Sequence, residues 1–487
     1  MFKLAPLSAA IVLAVAGQAM ADDSQSTQNQ FGTENIAEVK QIAAPQSTTT
    51  QNQLGLGNNH AAKQEGGNSQ IQQSGAGDYN AGYAEQLFEF ASQINQQNAG
   101  ALNNTHASQS LGVENTAQQN QEGSANFSFV YQDSQAGSQG ITLQFGDNNS
   151  AFVEQLYSGG GNNALSIQAG SGNYSAAEHL NYNNGQIGIY QAGDDNWAYG
   201  DQREGQDGSI TINQAGSANS SEVWQDTQLA SQATVSQNGQ TNESVVDQSF
   251  GEGNLASIIQ VGSLNASYAD QYESLQSTTS LFQHGQGNLA YTYQEGDSHV
   301  LTVTSTGTGN KILASNWKGD KLGGQFGSAQ RAEVNQNGTG NSANLTQDGS
   351  AQLARLNQNG SGNSAELTQV DNNNNNNNNN ELYFEQNGSD NLLIADQRGT
   401  ANYAAGVSSG AGNSVKVEQS GSGNQSYTWQ LYGDNNQATI KQTDGVNVAY
   451  VTQGGLANQA MVDQSGASMT ATIQQFGAGN QATVLQQ

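Results

Sequence analysis

The sequence predicts an all-β fold: a two-sheet β-solenoid of cross-β type, of roughly twenty rungs, closed by stacked Gln and Asn ladders. Three observations predict it. Glutamine returns at intervals of eleven or twelve residues, a Gly-x-x-Asn or Gly-x-Gly-Asn segment follows most returns, and polar and apolar residues alternate between those segments.

The interval is clearest at residues 336–369, QNGTGNSANLTQDGSAQLARLNQNGSGNSAELTQ. Gln336, Gln347, Gln358 and Gln369 stand eleven apart, with Asn341, Gln352 and Asn363 midway. From Gln202 to Gln294 the spacing alternates between twelve and eleven, so two arcs make a unit of 23 residues with turns of unequal length. The repeating arc is Q-x-G-x-x-N-x-A-x-[VIL]-x-Q. Copies include QFGTENIAEVKQ (30–41), QFGDNNSAFVEQ (144–155), QVGSLNASYADQ (260–271), QSGSGNQSYTWQ (419–430) and QFGAGNQATVLQ (475–486).

The Gly and Asn of each turn tolerate the positive φ that a tight reversal needs. Alternation in the arc is a strand signal. Asn341, Ala343, Leu345 and Gln347 share one face and Ser342, Asn344 and Thr346 the other. Rungs of parallel strands lie about 4.8 Å apart, so equivalent side chains stack. A buried amide needs partners, and an amide above an identical amide both donates and accepts. The ladder positions predicted this way include Gln336, Asn341, Gln347, Gln358, Asn363, Gln369, Gln419, Asn424, Gln430, Gln453, Asn458, Gln464, Gln475, Asn480 and Gln486. An Ala and one aliphatic residue between the amides suffice to fill the thin strip that two such sheets enclose.

The same parity turns most aromatic residues outward: Phe127, Phe129, Tyr131, Trp197, Tyr199, Trp224, Tyr291, Tyr293, Tyr427 and Trp429, with Phe384 an exception. Cross-strand pairing explains such residues. A sharper reading makes Trp197, Tyr199, Trp224, Tyr291, Tyr293, Tyr427 and Trp429 a candidate outward surface for adhesion or lateral contact.

Composition limits the function classes. The 487 residues hold 59 Gly, 2 Pro, no Cys, and 34% hydrophobic residues, against about 45–50% in ordinary globular chains. A net charge of −29 from 41 acidic and 12 basic residues repels nucleic acid and anionic lipid. Without cysteine there is neither a disulfide framework nor a thiolate metal site. Residues 1–21, MFKLAPLSAAIVLAVAGQAMA, have the layout of a secretory signal peptide ending in an A-x-A site. Cleavage after Ala21 leaves Asp22 first. Residues 22–29 form a short N-terminal segment, and the repeat solenoid is placed at 30–487 with an expanded Asn-tract loop at 371–381.

No catalytic, cofactor or metal site is expected. His60, His106, His179, His284 and His299 lack metal spacing, and His179 and His299 occupy ladder slots. GVSSG (406–410) matches a nucleophile elbow, but Ser408 lies eleven residues from both Gln397 and Gln419, in a ladder slot, and has no strand-to-helix context. Asp247, Asp270 and Asp463 are read as charged gatekeepers against aggregation rather than calcium ligands. The dispersed basic residues do not supply the clustered charges of a β-helical polysaccharide lyase.

The paired arcs after a secretory signal resemble the curlin repeat of curli fibre subunits, over about 30–487. The resemblance implies a structural subunit, not an enzyme, of an extracellular amyloid fibre. Secreted across both membranes of a Gram-negative cell, it would serve biofilm matrix and adhesion as a fimbrium-like polymer. It implies as partners other copies of the same chain, a nucleator subunit, an outer-membrane secretion channel, and a surface polysaccharide or host matrix; nucleic acid is not among them. Family members carry fewer rungs and a longer secretion-targeting segment before the repeats. The great length leaves a monomeric solenoid adhesin or ice-binding protein as the alternative, although outward Thr is too sporadic for regular ice-binding rows.

Overall fold

The computed structural model describes residues 23–315, 323–371 and 379–487. The signal peptide read at 1–21 and most of the Asn tract, 372–378, lie outside the described residues.

The first four strands set the pattern: β1 (Gln25–Thr33), β2 (Ile36–Ile42), β3 (Thr48–Leu56) and β4 (Asn59–Gly67). β1 pairs in parallel with β3, Gln30 opposite Gln53, and β2 with β4, Gln41 opposite Gln64. The alternation continues along the chain, so odd arcs build a first sheet of 20 strands and even arcs a second sheet facing it. The rungs stack in register with few slips, because Gln, Gly and Asn recur at matched positions in each arc. The coil starts earlier than the sequence reading placed it: β1 begins at Gln25, inside the 22–29 segment.

Glycine closes the first sheet's strands. Gly216 follows Gln214 by two residues with φ of 113°, and a Cβ there would lie 2.0 Å from the carbonyl oxygen of Gly239 on the next rung. Gly239 repeats this against Gly262. Only a residue without a side chain allows backbone to approach backbone so closely.

The twelve-residue arcs acquire a structural meaning. Where they occur, the return corner is wider and has an inner column of its own, including Glu89, Gly112, Tyr182, Gly205, Gln228, Gly251 and Ser274. Large and absent side chains complement each other across neighbouring rungs. A Cβ at Gly112 would meet Glu89 Oε1 at 2.8 Å, and one at Gly205 would meet the Tyr182 ring at 2.5 Å. Tyr182 is fully buried and reaches along the stack, its hydroxyl 3.4 Å from the carbonyl oxygens of Gln206 and Gln228. Beyond Gln294 most arcs are eleven residues long, and the corner narrows accordingly.

Strand pairing is continuous on either side of the two internal stretches that lie outside the described residues. One rung of the second sheet is split into Lys311–Ala314 and Gly324–Ser328, both paired to Leu289–Asp297 on one side and Ser342–Ser350 on the other. At the Asn tract, Gln358 is still opposite Gln386. The core is a thin strip of Ala alternating with Val, Ile or Leu, for example Ala343 with Leu345 and Ala365 with Leu367. Phe384 points inward, 4% exposed, against Gly406 on the next rung.

Candidate functional site

The expected ladder residues fall into four columns, two of Gln within the sheets and two at the corners. In the first sheet Gln336 Nε2 donates to Gln358 Oε1 at 2.8 Å, Gln430 to Gln453 at 3.0 Å and Gln453 to Gln475 at 2.9 Å. In the second, Gln347 donates to Gln369 at 2.8 Å, Gln419 to Gln442 at 2.8 Å and Gln464 to Gln486 at 2.7 Å. At one corner Asn363 Nδ2 donates to Asn341 Oδ1 at 3.1 Å and Asn480 to Asn458 at 2.8 Å. Asn424 belongs to the opposite corner, where its Nδ2 donates to Asn402 Oδ1 at 3.2 Å.

These columns have a direction. Each Gln donates to the rung that follows it in sequence, whereas each Asn donates to the rung before. The second N–H of a Gln amide goes elsewhere: Gln144 Nε2 also donates to Phe127 O and Gln347 Nε2 to Arg331 O. The amide therefore ties the end of one strand to the start of a facing strand as well as to the next rung. Asn58 similarly takes the Oδ1 of Asn35 through its backbone N–H at 3.0 Å and gives Nδ2 to Gly77 O at 2.8 Å. The Asn side chain thus satisfies the polar backbone groups that a tight reversal would leave unpaired.

Departures from Gln in the slots are accommodated individually. Ser408 Oγ donates to Gln430 Oε1 at 2.8 Å, which places it among the stacking side chains. Ser305 is too short: its hydroxyl and Gln336 Oε1 are both buried without a partner. Gly75 stands in a slot, and His60 fills the vacated space, since a Cβ at Gly75 would lie 2.8 Å from the ring. His179 stands between Gln155 and Gln202. Burial holds both imidazoles neutral, with pKa values lowered to about 4 for His60 and about 3 for His179.

One column was missed in the sequence. Gln28, Gln51, Gln73, Gln96 and Gln119 form a further ladder inside the first sheet, with donor–acceptor distances of 3.0, 2.7, 2.7 and 2.7 Å. Here Gln takes the position that an aliphatic residue holds elsewhere. The signal was present as paired amides, Gln28-Asn29-Gln30, Gln51-Asn52-Gln53, Gln96-Gln97-Asn98 and Gln119-Asn120-Gln121, in place of [VIL]-x-Gln.

The outward aromatic residues do not form one surface. Trp197, Tyr199, Trp224, Tyr291 and Tyr293 lie on the second sheet, and Tyr427 and Trp429 on the first. On the second sheet a track of rings runs through Phe152, Tyr174, Trp197, Tyr199 and Trp224 with centroids 4.8–6.3 Å apart. Tyr291 meets Tyr268 edge-on at 6.4 Å, and Tyr293 meets Phe326 at 5.5 Å. On the first sheet Tyr427 stacks on Trp429 at 5.9 Å and Tyr450 at 5.0 Å.

Acidic groups accompany the second-sheet track. Tyr199 donates to Glu178 Oε2 at 2.8 Å and Asp201 Oδ2 at 3.0 Å, while Arg203 pairs with Asp201 at 2.7 Å and lies over Trp224. Burial pushes Asp201 up to about 6 despite the guanidinium. Asp247 and Asp270 are opposite one another on adjacent strands. Burial, together with the neighbouring carboxylate, pushes Asp270 up to about 7. Asp463 sits opposite Lys441 instead.

Two parallel sheets closed over a thin core by directed amide columns define a β-solenoid of stacked rungs. Six segments match the Curlin associated repeat: residues 183–216, 230–262, 277–307, 338–370, 388–421 and 410–443. The chain belongs to the curlin-repeat proteins. No curated protein matches it.

Proposed function

We propose that this protein is a structural subunit of an extracellular curli-like amyloid fibre, growing by end-to-end stacking of rungs, without enzymatic activity. The observation that carries this reading is the direction of the amide columns. Among the described residues β1 pairs only with β3, and Gln481–Gln486 only with Gln459–Ala467. Gln30 and Gln41 donate inward to Gln53 and Gln64, so each turns its Oε1 away from the stack. At the other end Gln475 and Gln486 present Nε2, and Asn480 presents Oδ1 for the bond that Asn58 makes to Asn35. Donor meets acceptor when one chain's last rung meets another's first, whereas like ends set the Gln acceptors of two first rungs, or the Gln donors of two last rungs, against each other. Unpaired strand edges template further strands.

Growth therefore runs head to tail, and the charge of −29 slows it unless salt or mild acid screens or neutralises it. The family reading adds biofilm matrix and adhesion as the fibre's roles, secretion across both membranes, and a nucleator and outer-membrane channel as partners. The aromatic track from Phe152 to Trp224 is the adhesive surface in this reading. The deciding experiment incubates the protein without its first 21 residues with an amyloid dye, with and without sonicated fibres. Seeded, dye-positive growth is expected. Monomers that remain solitary at every salt concentration and pH would leave the solenoid adhesin as the better reading. Trp197→Ala with Trp224→Ala should keep seeded growth and lower adhesion; unchanged adhesion removes that surface.

A further inference from the structure

Charge is distributed unequally between the two faces of the coil. The first sheet's strands from Gln25–Thr33 to Val300–Thr308 number thirteen. Their three central outward columns carry only Gln, Asn, Ser, Thr, Gly, aliphatic and aromatic residues. Thr211 and Asn213, Thr234 and Ser236, Ser257 and Ile259, and Ser280 and Phe282 are examples. The second sheet over the same span turns out Glu38, Glu85, Glu154, Glu178, Asp201, Glu222, Glu243, Asp247 and Asp270, offset in its own central columns only by Lys40 and Lys63, the latter paired with Glu85. The neutral span ends at the next strand of the first sheet, which bears Arg331 and Glu333, the latter 3.3 Å from Arg355. Within it Tyr190, Leu255, Ile259 and Phe282 keep 37–39% of their surface exposed.

We propose that this uncharged face is a lateral interface, on which a second copy of this chain packs sheet against sheet. Facing sheets lie about 10 Å apart, so a pair joined by their neutral faces holds the two acidic faces about 30 Å apart. The Debye length at physiological salt is about 8 Å, so their repulsion is screened. Joining the acidic faces would bring the Asp247 and Asp270 columns within about 10 Å of their counterparts. Thirteen rungs at about 4.8 Å, each with about 17 Å of outward strand, offer roughly 1,000 Å² per partner, against about 800 Å² in a stable interface. Stacked neutral amides and small hydroxyls interdigitate as dry sheet-on-sheet contacts do. Glu122, Asp147 and Asp194 at the rim of the same strands make the contact tighten with salt.

The interface rests on the fibre reading, and the two separate experimentally, since dye-positive seeded growth reports the axial contact alone. The chain has no cysteine, so Ser236→Cys on the neutral face and Glu222→Cys on the acidic face each introduce a single thiol. Both are assembled from purified protein and labelled with a maleimide. The neutral-face thiol should react at least about tenfold more slowly in fibres than in monomers, and the acidic-face thiol at an unchanged rate. Equal labelling at the two positions overturns the proposal, and so does protection that appears only when a neutral polysaccharide is added. In a second arm, Thr50→Glu with Thr211→Glu and Ser280→Glu should leave single-width fibres. Ser108→Glu with Ser150→Glu and Ser220→Glu, the same charge on the other sheet, should leave paired ones. Identical widths in both variants count against the interface.

Discussion

Gln358 Nε2 donates to Gln386 Oε1 at 2.7 Å although 28 positions separate the two residues. The same column spans 22 positions between Gln336 and Gln358. A difference of six residues, from 28 to 22, is taken up by the connection around the Asn tract. Gln369, one arc before the tract, still donates to Gln397 at 2.8 Å. The ladder specifies register more strongly than chain length does, since a slipped rung would bury unmatched amides.

Deleting residues 373–378 should therefore leave the fold intact. The expected change in unfolding free energy is within about 1 kcal/mol, because a shorter loop costs less closure entropy. Thermal or urea unfolding of the deletion variant checks this. A loss of cooperativity would mean that the tract takes part in the stack.

Gln347 tests the columns themselves. It is buried between Gln325 and Gln369, bonded to both at 2.8 Å. Gln347→Ala leaves Gln325 Nε2 with only its bond to Val300 O and Gln369 Oε1 without its ladder donor, a loss of about 1–3 kcal/mol. Gln347→Glu should cost more at neutral pH, since it buries a charge with no cation beside it. The difference between the two variants should shrink below pH 5, and denaturant midpoints measure it.

His179→Gln should stabilise the protein. The imidazole interrupts the second-sheet column, and Gln155 has no ladder acceptor above it. Restoring the amide should gain about 1 kcal/mol at neutral pH. The gain should grow in acid: a His whose folded pKa is lowered to about 3 contributes stability above about pH 6.5 that is lost as pH falls toward that value. Unfolding midpoints at pH 4.5 and 7.5 distinguish the outcomes.

The Asp247 and Asp270 pair works in the opposite direction. Asp270 is raised to about 7, and Asp247 is raised mainly by burial, with Asp226 adding repulsion. Their contribution is full below about pH 4 and is lost as pH rises through about 7. Asp247→Asn with Asp270→Asn should therefore raise stability near pH 7.5 and change little near pH 4. Seeded growth of this variant should also lose part of its acceleration by acid.

Gly216→Ala should be among the most damaging single substitutions. Its Cβ would fall 2.0 Å from Gly239 O, in backbone with φ of 113°. Left-handed strain and the collision together should cost at least about 3 kcal/mol. Calorimetry of the variant checks this, with Ala218→Gly, two residues along in the same turn at φ of 54°, as a neutral or stabilising control.

Much of the architecture was readable from intervals, for a physical reason. In a coil of parallel rungs each residue meets its own equivalent one turn away, so the repeat length in sequence is itself the contact map. Gln336, Asn341 and Gln347 could be assigned to an inward face from spacing alone, because stacking demands identical amides at identical heights. The outward parity of Trp197 and Tyr427 followed from the same alternation.

Parity could not say which sheet a residue belongs to, so the aromatic residues read as one surface divide between two opposite faces. The direction of the amide columns also escaped the sequence: an amide can donate either way, and the facing backbone carbonyls, such as Phe127 O beside Gln144, select one. Nor did composition reveal that the wide corner holds Tyr182 lengthwise over Gly205 and Gly208. Those contacts join residues that share no motif, and only the three-dimensional placement of one rung on the next brings them together. Spacing settles what stacks on what, because stacking is periodic; the closed coil settles which face, which direction and which gap, because those depend on the partner across the core.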